Sequence, residues 1–136
     1  MTQALPNLLP VSADMARSLL ASDRAGRLTR CDPALAAIPV QHHLLDDGQL
    51  ILRAQRPAPA SRFAFPRQLT YQVDQINMRD HTGWTVIVTG LADQITGTRL
   101  RHYRARLGAT ATVHAEHFLL IHPRRITGYR LTRDTW

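Results

Sequence analysis

The 136-residue sequence contains no lysine, a single cysteine and a single glutamate, Glu116. One cysteine, Cys31, excludes an internal disulfide and the multi-cysteine metal cages, and it reads as a small buried hydrophobe rather than a redox centre. No apolar run approaches the roughly 20 residues that a membrane helix needs. The opening MTQALPNLLP lacks the basic start and long apolar stretch of a signal peptide, so the expected compartment is the cytoplasm. Serine is confined to Ser12, Ser18, Ser22 and Ser61. With no Gly-x-Ser-x-Gly elbow and no phosphate-cradling glycine-rich loop, hydrolase chemistry has no support. No internal repeat, low-complexity tract or linker interrupts the chain, and one domain is expected over residues 1–136.

What is present is a basic, moderately apolar chain: 44% hydrophobic, with 17 arginines against 10 acidic residues and a net charge of +7. A chain of this length buries about two-thirds of its unfolded surface and needs no disulfide or structural metal to hold a core. The charge points to anionic partners, whether nucleic acid, anionic membrane or a phosphorylated small molecule, without choosing among them. An all-arginine basic set also arises from a GC-rich genome, and the arginines are scattered. The densest run, Arg99, Arg101, Arg104 and Arg106, spreads over more than one face of a helix and suits a solvated surface better than a nucleic-acid stripe.

Ser12 is placed to cap a helix running to about Ala21, with Met15, Leu19 and Leu20 at helical spacing. Strands are expected at Arg27–Cys31, Ala37–Leu45 and Leu50–Ala54, the last two joined by the tight turn Asp46-Asp47-Gly48. Pro57, Pro59 and Pro66 make the stretch 55–67 a loop. Leu69, Tyr71 and Val73 alternate with Thr70, Gln72 and Asp74, the period-two signature of a half-buried strand. After a turn at 77–83 the longest strand runs from Trp84 to Ile95, with Gly90 marking a bulge or bend. A short helix is expected at Thr98–Leu107, then two strands, Phe118–Ile121 and Ile126–Leu131, around a turn at His122–Arg125. Six or more strands with two short helices imply a mainly β barrel.

Seven histidines invite a metal hypothesis, best at His114, His117 and His122, but their spacing matches no zinc pattern, and His117 and His122 face opposite sides of a strand. His42 and His43 also face opposite ways, so at most one can look into a barrel pocket. Asp46 and Asp47 are more economically a turn than a catalytic pair. Asp74, on a strand with apolar neighbours, needs a partner such as an arginine or backbone donors.

Taken in order, Gly26-Arg27-Leu28, Pro39-Val40, Asp46-Asp47-Gly48 with Leu52-Arg53, Tyr71-Gln72-Val73-Asp74, Gly83-Trp84-Thr85-Val86-Ile87-Val88-Thr89-Gly90 and Ile121-His122-Pro123-Arg124-Arg125-Ile126-Thr127-Gly128 resemble the pyridoxamine 5'-phosphate oxidase-like family. The closest form is its small actinobacterial branch. The resemblance covers nearly the whole chain. It implies a split β-barrel, usually a homodimer, holding flavin mononucleotide (FMN) or a deazaflavin at the subunit interface and transferring hydride or electrons to a small molecule. By position it places Arg53 at the flavin phosphate and Trp84, Thr85 and Val86 near the ring. A guanidinium grips phosphate with two parallel hydrogen bonds, and backbone amides hold the ring's polar edge.

One departure touches the phosphate clamp. Where the family commonly has Gly-Ser-Lys after the hairpin, this chain has Pro57-Ala58-Pro59, with Arg56, Ser61 and Arg62 as the nearby replacements. The segment from Gly108 to Glu116 is short and lacks the tryptophan often seen there. Two functional expectations follow: a flavin-dependent oxidoreductase, or a diverged split barrel without a redox cofactor whose cleft binds or converts a biosynthetic intermediate through Arg53, His42 or Tyr71. Non-specific nucleic-acid binding is a third, weaker expectation.

Overall fold

The structure, a computed structural model, describes residues 6–29, 40–55, 66–107 and 116–133. The elements in chain order are β1 (Pro6–Val11), α1 (Ala13–Ala21), β2 (Ala25–Thr29), β3 (Val40–Leu44), β4 (Leu50–Gln55), β5 (Arg67–Asn77), β6 (Thr82–Gln94), α2 (Gly97–Leu107) and β7 (Glu116–Arg133). Every strand pair is antiparallel. Neighbours run β7-β4-β3-β2-β5-β6, and β6 pairs back onto β7, so six strands close a barrel while β1 lies outside the ring. Closure leaves no open edge within the ring. The helix from Ser12, the hairpin at Asp46-Asp47-Gly48 and the helix near Thr98–Leu107 stand as the sequence predicts. Cys31, Arg56, Pro57-Ala58-Pro59, Ser61, Arg62 and His114 lie outside the described residues.

β7 departs from expectation. Instead of two strands around a turn at His122–Arg125, residues 116–133 form one strand, which pairs with β4 at 116–121, with β1 at 128–133 and with β6 along 119–131. The apparent turn signal, Pro123 followed by two arginines, is a bulge: Thr89 pairs with Arg125 and Gly90 with Pro123, leaving Arg124 as the extra residue. A proline without an N–H is tolerated at a bulge and in the interval 122–127, where neither β4 nor β1 pairs with the strand. Gly90 is needed opposite it, because a Cβ there would stand 2.1 Å from the His122 carbonyl oxygen. β1 was not expected as a strand at all. Its two prolines remove two of the three N–H groups on one of its edges, and they suit a strand paired on one side only.

The alternation seen in the sequence turns Leu69, Tyr71 and Val73 of β5, Val86 and Val88 of β6, and Leu50 and Leu52 of β4 into the barrel. α1 stops one end with Ala16 and Leu20, both fully buried. Ser12 starts that helix as expected, its hydroxyl accepting from the Met15 N–H at 3.1 Å. A second, smaller core lies outside the ring, where Leu100 and Tyr103 of α2 cover Ile51, Ile95, Phe118 and Leu120. Arg99 and Arg101 on the same helix are exposed, as expected of a solvated face.

Gly26 of β2 lies against Tyr71. A Cβ added there would stand 2.4 Å from the Gln72 carbonyl oxygen and 2.8 Å from the tyrosine ring and hydroxyl. Neither neighbour is a flexible chain end, so Gly26→Ala is expected to cost about 3 kcal/mol by overpacking. A lowered urea midpoint with an unchanged denaturant slope would show it; an unchanged midpoint would refute it.

Candidate functional site

The site is built on the β3–β4 hairpin. Asp47 accepts from the Gln49 N–H at 2.9 Å and fixes the turn, and the resulting register sets Gln41 opposite Arg53 and His43 opposite Ile51. Opposite residues of an antiparallel pair share a face. Val40 and Leu52 turn inward, so these four side chains stand on the barrel's outer surface. There they line a cleft of about 480 Å³, walled on its other side by Asp23 and Arg24 from the connection between α1 and β2. That volume suits a small-molecule site. Two guanidinium groups, an amide and an imidazole fit a ligand that carries an anionic group and a polar chain. The donor set therefore fits a flavin phosphate with its adjoining polar chain.

Asp23 also lines the cleft, and its carboxylate accepts from the Arg24 N–H at 2.7 Å and from the Gln75 amide. Burial works to raise its carboxyl, but hydrogen bonds from Gln75 and from the N–H groups of Arg24 and Ala25 outweigh it and hold the pKa below its usual value.

Beneath the cleft lies His42, buried together with the hydroxyl of Tyr71. Its Nε2 is 2.7 Å from the Leu20 carbonyl oxygen in the last turn of α1, and its Nδ1 is 2.6 Å from the Tyr71 hydroxyl. A carbonyl only accepts, so Nε2 carries the hydrogen and the neutral ring accepts at Nδ1 from Tyr71. The tyrosine hydroxyl also lies 3.1 Å from the Val40 carbonyl oxygen. Burial lowers the His42 pKa, outweighing the Leu20 carbonyl and the Asp23 carboxylate, which favour the charged ring. Burial raises that of Tyr71 far above the ordinary phenol value.

The sign of the resulting pH dependence is fixed. The unfolded chain protonates His42 near 6.5, and the folded chain only at lower pH. Between those values the unfolded state binds more protons, so this contribution to stability is complete above pH 6.5 and declines as pH falls below it. Urea midpoints measured at pH 7.5 and pH 5 should differ in that direction, and His42→Gln should flatten the difference. An equal slope in the variant would refute the assignment. Asp23 does not interfere, since its depressed carboxyl titrates in a lower window.

The residues singled out in the sequence separate into two groups. Arg53 and His42 meet at the cleft. Tyr71 is fully buried and reaches the cleft only through His42. Trp84, Thr85 and Val86 lie on β6, which stands across the six-strand ring from β3. Val86 is fully buried, and Trp84 packs against the barrel core. Thr85 donates to Asp74, which Gln72 also bonds at 3.0 Å. Asp74 thus has the partners its position was expected to need, found in an amide and a hydroxyl rather than in an arginine or backbone donors. His122 is exposed, bonded to Gln49 at 3.0 Å and 3.6 Å from Asp93. No group of three metal-ligating side chains occurs among the described residues.

Sequence reasoning missed Asp23, Arg24, Gln41 and His43 as lining residues. Gln41 and His43 were within reach, because counting outward from Asp46-Asp47-Gly48 places Gln41 opposite Arg53. Asp23 and Arg24 carry no such signal.

No family model matches the chain. An uncharacterized protein of Mycobacterium tuberculosis, Rv0080, is 30% identical over 139 residues, covering 98% of this chain and 91% of that protein. Among solved structures, an FAD-binding protein of Mycobacterium smegmatis superposes with a TM-score of 0.70 at 24% identity, covering 93% of this chain and 100% of that one. An FAD-binding protein of Mesorhizobium loti gives 0.69 at 17% identity, with coverage of 94% and 99%. A Corynebacterium glutamicum protein named as a candidate pyridoxamine 5'-phosphate oxidase gives 0.67 at 20% identity, with coverage of 93% and 99%.

Proposed function

Since the chain belongs to the family of the Mycobacterium tuberculosis protein and has the split β-barrel fold of the pyridoxamine 5'-phosphate oxidase-like proteins, we propose that it binds a flavin in the β3–β4 cleft and acts as an oxidoreductase on a small molecule. The observation that carries this reading is Arg53, which shares one outer face of the hairpin with Gln41 at the mouth of a cleft of flavin-compatible size. FMN is the simplest occupant. A deazaflavin phosphate would use the same donors, and the FAD-binding proteins of like fold extend the choice to FAD.

The bound flavin supplies hydride or single-electron transfer; the protein binds and orients it. Arg53 and Arg24 hold the phosphate, with Arg56, Ser61 and Arg62 as further phosphate ligands. Gln41 and His43 bond the polar chain. Because β6 stands across the ring from β3, we assign the role of Trp84, Thr85 and the Val86 backbone at the flavin ring to a second copy packed in a homodimer. A cytoplasmic location completes the reading; no helix among the described residues is long and apolar enough to cross a membrane.

The alternative, a cleft that binds an intermediate without a redox cofactor, is favoured by Pro57-Ala58-Pro59, where only Ala58 keeps a backbone N–H for a phosphate. The deciding experiment is an absorbance spectrum of the purified protein before and after incubation with FMN, and separately FAD, followed by gel filtration. Retention of about one flavin per chain is the expected result. A colourless protein that releases both flavins would defeat the flavin reading and leave a deazaflavin site or the cofactor-free alternative.

A further inference from the structure

β2 changes partners along its length. Arg27, Leu28 and Thr29 pair with β5, whereas Ala25 and Gly26 pair with β3. The ladder to β5 therefore stops at Arg27 and Gln72, and the residues before it, Asp23 and Arg24, have left β5 where they form the far wall of the cleft. A side chain spans that gap: the Gln75 amide of β5 donates to the Asp23 carboxylate, 52 positions away in the chain. Gln75 itself is exposed and stands outside the set of residues that line the cleft.

Asp23 passes this hold to its neighbour. Its carboxylate accepts from the Arg24 N–H at 2.7 Å and from the Ala25 N–H, the arrangement in which an aspartate fixes the backbone that follows it. A carboxylate has lone pairs enough for three donors at once, so the amide of Gln75 displaces neither backbone bond. On the other side, the Arg24 carbonyl accepts from the His42 N–H of β3 at 2.8 Å. The peptide groups flanking Arg24 are thus held from two strands, from β5 through Gln75 and Asp23 and from β3 directly. A fixed backbone limits the rotamers open to the side chain, and the Arg24 side chain lines the cleft. We propose that Gln75 is a positioning residue for the cleft: acting through the Asp23 carboxylate, it fixes the backbone of Arg24 and so holds that guanidinium where the anionic group of a ligand binds. Asp23 then serves the wall and not the ligand.

This inference rests on the anion-binding reading of the cleft for its ligand, and on the hydrogen bonds alone for its geometry. The polarity of the bond provides the test. Gln75→Ala removes it, and Gln75→Glu sets two carboxylates against each other. Joining Asp23→Asn to Gln75→Glu reverses it: the new amide at position 23 donates to the new carboxylate at 75, its oxygen still accepts from the Arg24 N–H, and the net charge equals that of the parent. Amide hydrogen exchange at Arg24 and Ala25, followed by NMR, reads the wall, and fluorescence titration of FMN reads the cleft. Gln75→Ala should speed that exchange about tenfold and weaken FMN about fivefold. Gln75→Glu should exceed both effects, and the double variant should return both to within about twofold of the parent. A merely structural loss would speed exchange along β3 and β5 alike, and reversing the bond would not undo it.

Unchanged exchange at Arg24 and Ala25 in Gln75→Ala would overturn the proposal. So would unchanged FMN affinity in a variant whose wall has loosened, or a double variant no better than Gln75→Glu. Failure of the flavin reading looks different: the wild type itself rejects FMN. The titration is then run with inorganic phosphate, followed at the Arg24 side-chain resonance. The same ranking of variants sustains this inference without a flavin, and a phosphate response that is absent, or equal in all variants, overturns it.

Discussion

Tyr71→Ala is expected to cost about 5 kcal/mol, enough to unfold much of a domain of ordinary stability. The tyrosine is the largest fully buried side chain among the described residues, and the strands and Gly26 around it cannot close over the space it leaves. The loss of the ring accounts for most of this figure. Its hydroxyl also serves His42 Nδ1 and the Val40 carbonyl, and each acceptor left without a partner adds a penalty of its own. Tyr71→Phe keeps the ring and should cost only about 1–2 kcal/mol. Chemical denaturation of the two variants distinguishes them. Equal losses would show that the hydroxyl, not the ring, dominates.

Arg53→Ala is expected to weaken FMN binding about 10- to 100-fold, the effect of removing a charge-assisted contact worth about 1.5–3 kcal/mol. The fold should survive, because Arg53 stands on the outer face of β4 while Leu52 beside it fills the barrel. Arg101→Ala, on the exposed side of α2, provides the comparison and should leave affinity unchanged. Fluorescence titration of FMN measures both. If the two variants bind FMN as the parent does, Arg53 is not the phosphate ligand. Since counterions screen such contacts, the wild-type affinity should also fall with added salt, and by less in Arg53→Ala.

Much of this architecture is legible in the residues, for identifiable reasons. The alternation of Leu69, Tyr71 and Val73 fixed which face of β5 is buried, because a one-residue slip would turn all three to solvent. Asp46-Asp47-Gly48 fixed a hairpin and with it the pairing of Gln41 with Arg53. Ser12 fixed the start of α1. The failure at His122–Arg125 has an equally local cause. Pro-Arg-Arg reads as a turn when only sequence neighbours are considered, and its reading changes once β6 supplies partners on both sides of Gly90.

By itself the sequence determined the strand faces, the hairpin register and the resemblance to a split barrel, since all three depend on spacing along the chain. Only the tertiary structure decided that Tyr71 lies behind His42, that Asp23 and Arg24 wall the cleft, and that β6 stands across the ring from β3. These depend on contacts between residues far apart in the chain, such as His42 with Tyr71 and with Leu20, and the order in which the strands close the barrel sets them. Periodicity tells a side chain which face it occupies; closure alone tells it what it meets there.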